Sequence, residues 1–402
     1  MPLLDLARIG PVARTMDWPR WPLPRIKSGV ASAARADEPG SGRVSGARTS
    51  KELPRWPLPR IKSGVASAAF ALIAAVALAP VSASPAAAQT GIKFSLDGRL
   101  EGPEALFLTP QDKSYFKSEG LDVTIDDAAS PLEPITRVAS GGYDMAFADI
   151  NALIRYRDQN PSAPIKAVFM IYNKPPFAIV TRKSRGITEP RQLEGKKLGA
   201  PPAGSTIAQW PLFAKLNGID VGKVTIEHIG IPVRAPMLAA GQIDAALGSS
   251  FRLYVDLKDR GVPVDDIVLM PMANYGLKLY GNAIIVNTKF AAEKPEAVKA
   301  FLRAFLKGLK ETIRRPGDAV DSILRRDDGA KRDVELERLR MAIRDNILTP
   351  EVRENGFGAI DTVRFEEGID QIALVHTFKA KPKPDDIFDA SFLPPAADRK
   401  AN

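Results

Sequence analysis

Apolar positions along this chain switch between two rhythms. Short apolar or alternating runs at Ile92–Leu96, Leu121–Ile125, Met145–Ala148 and Ile165–Tyr172 predict strands. Between them, Thr109-Pro110 predicts a helix start, with the helix running to Ser118 and Gly120 as its stop. Pro134–Ala139 predicts a short helix ended by Gly141-Gly142. A similar set recurs downstream. Lys197–Ala200 reads as a strand, Thr206–Leu216 as a helix, Val224–Ile231 as extended, Pro236–Ala240 as helical and Ala245–Gly248 as a strand. Strands separated by helices imply right-handed crossovers and mainly parallel sheets. Two such sets predict two α/β lobes. Phe177–Arg182 and Asn282–Asn287 are apolar, extended and flanked by turn residues, and read as the strands that cross between lobes. The first lobe is then 91–181 plus 284–402, and the second is 182–283.

The C-terminal part follows the helical period. Val298, Phe301, Leu302, Phe305, Leu306 and Leu309 recur on one face, and Phe365, Ile369, Ile372, Ala373 and His376 do so after an Asp361 N-cap. These stripes read as core faces, with His376 a partly buried, hydrogen-bonded histidine.

The N-terminal part has a different character. Arg55, Arg60 and Lys62 precede the apolar run Val65–Ala79, Pro80 ends it, and the small residues Val81–Ala88 follow. This is the order of a cleavable export signal over 54–88. Cleavage fits before Gln89 or before Ser84. The run is shorter than the roughly 20 apolar residues a membrane span needs. Upstream, Pro19–Ala34 recurs nearly verbatim as Pro54–Ala69, but the first copy lacks the apolar core. Residues 1–53 read as an unstructured leader, from a duplicated segment or a start codon placed too early.

Composition and charge narrow the function. The 402-residue chain carries a net +9. Residues 1–88 hold twelve of the 56 basic and five of the 47 acidic residues, so they carry +7 and leave +2 for the rest. The body has no basic stripe interleaved with aromatics, which argues against a nucleic-acid partner. With no Cys there is no thiol catalysis, iron–sulfur cluster, cysteine zinc site or lipidated N-terminal cysteine, and two histidines leave little room for a metal site. No GxSxG, HExxH or phosphate-loop signature is present.

Small polar residues do gather after predicted strands, the edge where α/β sheets bind ligands. They are Asp97, Asp149 with Asn151, and Tyr172 in the first lobe, and Gly204-Ser205-Thr206, Ser249-Ser250 and Tyr275 in the second. Gly204-Ser205-Thr206 opens a predicted helix whose N–H groups suit a polar or anionic ligand group. Trp210, one turn on, walls the cleft or packs on the sheet. Arg99 and Arg252 suit a sulfonate or carboxylate, Asp97 and Asp149 an amine. For any one of these residues alone, an N-cap or a turn is the simpler role.

The words SYFKSEGLDVTI (114–125), VASGGYDMAFADINALI (138–154), TEPRQLEGKKLGAPPAGST (188–206), MLAAGQIDAALGSS (237–250) and NTKFAAEKPEAVKAFLRAF (287–305) occur in this order. In them the chain resembles ABC-transporter solute-binding proteins of the nitrate/sulfonate/taurine and thiamine-pyrimidine-precursor branch. The resemblance implies a type II periplasmic binding protein fold and a periplasmic, monomeric, non-enzymatic receptor without cofactor. It would hand a small solute to a membrane permease with a cytoplasmic ATPase. It also implies ligand contacts from Asp97, Asp149, Ser205-Thr206 and Ser249. The chain departs from the pattern at Gly98, where pyrimidine-binding relatives commonly carry an aromatic, and at Pro103 and Pro110, where relatives begin a helix. Relatives that act as enzymes in pyrimidine synthesis use a cysteine-rich loop and a histidine. Two other readings stand beside this one: a hydrolase using Asp97 or Asp149, and a ligand-sensing receptor docking to a membrane signalling partner.

Overall fold

The computed structural model describes residues 89–401. The leader expected at 1–53 and the export signal expected at 54–88 lie outside the described residues. Ten strands follow in chain order: β1 (Thr90–Ser95), β2 (Leu121–Asp126), β3 (Met145–Asp149), β4 (Ile165–Met170), β5 (Phe177–Arg182), β6 (Lys197–Ala200), β7 (Thr225–His228), β8 (Ala245–Ser249), β9 (Ile267–Pro271) and β10 (Asn282–Asn287). They form two five-stranded sheets, ordered β2-β1-β3-β10-β4 and β7-β6-β8-β5-β9. The two sheets have one design. Three strands pair in parallel, a fourth runs with them, and one strand from the other half of the chain lies antiparallel between two of them.

That antiparallel strand moves the lobe boundaries from those expected. β5 pairs along its whole length with β8 and β9, so residues 177–181 lie in the second sheet. β10 pairs from Asn282 onward with β3 and β4, in the first sheet. The crossings are therefore the irregular segments before each strand, 171–176 and 276–281. The reason is that a central strand must satisfy both edges, and each apolar run is buried throughout and finds two partners in one sheet only.

Helix boundaries shift for local reasons. Thr109-Pro110 does not start a helix; both residues sit near the end of the helix Ala105–Asp112. That helix grows from a turn at Gly102–Glu104, where the Glu101 and Glu104 side chains cap each other's backbone. The proline acts on the far side, since the helix stops two residues later. The helix expected over 206–216 is broken at Gln209 into Ser205–Ala208 and Trp210–Leu216, with Pro211 opening the second piece. Ile231 does not extend β7; with Gly230 and Pro232 it begins the helix Ile231–Ala240.

The core explains how the lobes stay together. In the first lobe the rings of Phe94, Phe107, Phe301 and Phe305 lie 5.0–5.3 Å apart, and the whole stripe Val298–Leu309 on the helix Pro295–Arg314 is buried against them. A second apolar cluster is continuous across both sheets, from Ala146 and Ile285 to Ile179 and Leu247. The stripe Phe365, Ile369 and Ile372 packs into that cluster together with Trp210 and Phe213. His376 lies 3.0 Å from the Asp158 carboxylate. No helix among the described residues is long and apolar enough to cross a membrane.

Candidate ligand site

Both sheets present the same edge to one cavity. In each, the strand order reverses beside its first strand, which opens a crevice at the carboxyl ends of the strands. The loop after β1 brings Asp97, and the chain leaving β4 brings Tyr172. In the second lobe the loop after β6 brings Gly204, Ser205 and Thr206, and the end of β8 brings Ser249. These six residues line a common cavity of about 90 Å³. Gly204 has φ 142°, a conformation that favours glycine, and the helix it opens is a single turn.

The remaining expected site residues stand behind this lining. Asp149 is buried at the N-cap of the helix Ile150–Gln159, accepting from the backbone N–H and side-chain amide of Asn151 at 3.0 and 2.7 Å. Its Oδ2 has no hydrogen-bond partner among the described residues. Asn151 also donates to the Tyr280 carbonyl, so it anchors a helix and does not face the cavity. Ser250 is buried in the first turn of the helix Ser250–Asp259, and its N–H bonds the Pro176 carbonyl. Trp210 is buried in the core against Phe213 of its own helix and is not among the residues that line the cavity. Tyr275 lies edge-on to Phe213.

Several lining residues were not singled out from sequence. Asn282 and Phe177 are the first residues of β10 and β5, and they sit in register beside Asp149 and Ser249. The signal was present, because each follows a crossing and so starts at the ligand edge. Glu104, Phe251 and Arg234 also line the cavity, as does Arg252, which the sequence did offer for a sulfonate or carboxylate. Arg99 does not; with Arg252 it borders a second hollow of about 510 Å³.

The electrostatics are uneven. Asp97 accepts from the Asn282 amide at 2.6 Å. Burial pushes its carboxyl up to about 6, although Arg252 and Asn282 pull it back. Burial, with Asp97 and Glu101 nearby, holds Glu104 well above the usual carboxylate range. Arg252 donates to Glu101 at 2.7 Å, and the acids around it outweigh burial and keep its guanidinium firmly charged. Arg234 is lowered to about 10, by burial first and then by the charge of Arg252. Tyr172, edge-on to Phe147 and Phe251, is raised well above the usual phenol range by burial and by Glu104 and Asp97. Among the described residues no cluster of three or more His, Asp or Glu is placed to hold a metal ion.

This geometry is that of a binding cleft, and sequence comparison bears on whose. The profile of the family described as NMT1/THI5 like matches residues 104–319, more than half of the chain. The chain belongs to that family. Other similarities of this NMT1/THI5-like chain are weaker. It is 27% identical over 214 residues to riboflavin-binding protein RibY of Chloroflexus aurantiacus, covering 52% of this chain and 58% of that one. It is 27% identical over 267 residues to the formylaminopyrimidine-binding protein of Halalkalibacterium halodurans, covering 64% and 77%. It is 25% identical over 214 residues to a 4-amino-5-hydroxymethyl-2-methylpyrimidine phosphate synthase of Schizosaccharomyces pombe, covering 51% and 61%. The chain thus spans less than two thirds of the first and third of these. The fold is shared with the periplasmic aliphatic sulphonate binding protein SsuA of Escherichia coli, at TM-score 0.60 and 10% identity over 74% of this chain and 91% of that one.

Proposed function

We propose that this protein is the periplasmic solute-binding component of an ABC importer. A small polar solute is held between the lobes, the lobes close on it by bending at 171–176 and 276–281, and the closed form delivers it to a membrane permease with a cytoplasmic ATPase. The observation that carries this reading is the pairing of two sheets of one design across a common cavity lined from both lobes. Membership of a family with relatives named as riboflavin- and formylaminopyrimidine-binding proteins supports it. So does the export-signal order of residues 54–88.

A thermal-shift screen over sulfonates, nitrate, pyrimidines, riboflavin and aromatic acids is the direct test. The expected result is a raised melting temperature with at least one class, no product on prolonged incubation, and a smaller scattering radius in the bound state. The relative named as a synthase favours a second reading, an enzyme acting on a pyrimidine precursor. Product appearing in the same incubations would select that reading.

A further inference from the structure

Beside the cavity the two lobes also meet along a pair of helices. The helix Ser250–Asp259 packs on the second sheet through Leu253 and Leu257. The helix Arg332–Ala342 belongs to the first lobe: Leu339 and Ala342 are buried in its core, and Glu335 accepts from the Gly102 N–H at 2.6 Å. Phe251 and Val255 leave the helix Ser250–Asp259 on a different side from Leu253 and Leu257, and they are buried in the same cluster as Leu339 and Ala342. An apolar seam therefore joins the lobes.

Four ion pairs frame this seam among the described residues. Arg252, Asp256 and Asp259 recur at i, i+4 and i+7 on one helix face, as do Lys331, Glu335 and Arg338 at the other helix. Each lobe sends an arginine to an acid of the other: Arg252 donates to Glu101 at 2.7 Å, and Arg338 donates to Asp256. Farther out, Lys258 donates to both Glu337 oxygens at 2.8 Å, and Lys331 to both Asp259 oxygens at 3.0 and 2.8 Å. The arginine pairs are the more sheltered and the lysine pairs the more exposed. A lone exposed pair contributes little, but a row with a sheltered end acts as a network. Both partners of each pair meet only when the lobes do, so the row favours the closed arrangement over the open one. Arg252 and Ile231 line both the cavity and the hollow of about 510 Å³, so the inner end of the row is part of the partition between the two.

We propose that these four pairs form a charge clasp that keeps part of the solute-free protein closed, and that its parting opens the cavity. Apart from Arg252 the clasp lies outside the cavity lining, so it acts whatever the solute is, and the proposal concerns the lobes alone. Closure should then answer to ionic strength with no solute present.

The chain has no Cys, so Leu132→Cys and Val233→Cys can carry a fluorophore pair across the cavity mouth; both residues are exposed and lie close to the lining residues Pro131 and Ile231. Single-molecule energy transfer on the full exported chain without solute should show a closed population in about 0.01 M sodium chloride. That population should fall about threefold or more by about 1 M, as the screening length shortens from about 30 Å to about 3 Å. Lys258→Glu with Lys331→Glu sets like charges against Glu337 and Asp259 and should lower the closed population at low salt by a similar factor. Adding Glu337→Lys with Asp259→Lys should restore it. If the reversed variants do not fold, the salt series on the labelled chain with its own charges decides by itself. A closed population unmoved by salt, or unmoved by the first reversal, would overturn the proposal, as would a loss that the second reversal does not restore. Each of these outcomes leaves the solute-receptor reading standing, since the screen for a solute fails or succeeds separately.

Discussion

Arg364, half-buried, and Arg234, buried, show two uses of a guanidinium. Arg364, on the helix Thr362–Ala373, has every nitrogen occupied. It donates to the carbonyls of Lys278, Asn173 and Leu279, to the Asn173 side chain, and to Glu351 at 2.7 Å, and it lies 4.0 Å over the Tyr280 ring. Tyr280 and Asn173 both donate to the other Glu351 oxygen, and Thr349 donates to Asn173. This saturated cluster ties both crossing segments to the C-terminal helices, at the point where the lobes would bend. Arg234 is more deeply buried and makes one hydrogen bond among the described residues. A full set of partners marks a group that holds the fold together. An incomplete set at a cavity wall marks a group whose partner arrives from outside.

This contrast can be broken most forcefully at the saturated end. Arg364→Met should lower global stability by about 2–4 kcal/mol, because it strands Glu351 and three carbonyls. Urea denaturation reads the loss, and the affinity of the folded fraction for its solute should change less than threefold. Unaltered stability would show that the cluster does not bind the crossings together.

The next effect in size tests the open end. Gly248→Ala places a methyl 2.6 Å from Arg234 Nη1 and 2.7 Å from Leu253. Overpacking of this kind costs about 1–3 kcal/mol, and the displaced guanidinium should weaken solute binding tenfold or more. Titration calorimetry beside a melt separates the two. Retained affinity would place Arg234 among the structural arginines.

Ser205→Ala with Thr206→Val probes the cavity wall without charge. Affinity should fall roughly tenfold, with the melting temperature of the free protein nearly unchanged, because both residues line the cavity and cap no long helix. Lower stability with intact affinity would make this turn part of the scaffold.

A further effect is on pH. Asp97 at about 6 lies above its unfolded value of about 3.9. The folded state therefore binds the proton more tightly, so the contribution to stability is present below about pH 4 and is lost as pH rises through 6. Arg252 and Asp149 act on Asp97 by charge and Asn282 by its hydrogen bond. Asp97→Asn should flatten the stability slope of the free protein between pH 4 and 6, measured by denaturant midpoints. An unchanged slope would assign that titration to Glu104 or Asp149.

Much of the fold is legible in the residues. Every strand placed between 92 and 287 has a counterpart, because a parallel sheet covered on both faces demands continuous apolar runs. The stripe Val298–Leu309 is buried as its period requires. Where the reading slipped, one residue type served two purposes. Pro110 sits near the end of a helix and not at its start, and Ile231 looks like strand but begins a helix after Gly230. At the site, Asp97 and Ser205 could be found because they follow strands. Trp210 and Tyr275 could not be separated from them, since an aromatic beside a cleft and one in the core have the same local sequence.

The sequence by itself determined the alternation of strand and helix, the twofold repetition of the lobes and the edge of each sheet where polar residues gather. These follow from periodicity and turn chemistry, which act over a few residues. Tertiary structure alone decided which charges stay unpaired. In sequence Arg234 is an arginine between a predicted strand and a predicted helix, and Arg364 one just after a helix N-cap. Only the close approach of Gly248 buries the first without an acid, and only the meeting of the two crossings with Glu351 surrounds the second. Pairing in a dry site depends on distances between segments far apart in the chain, and local sequence carries no record of them.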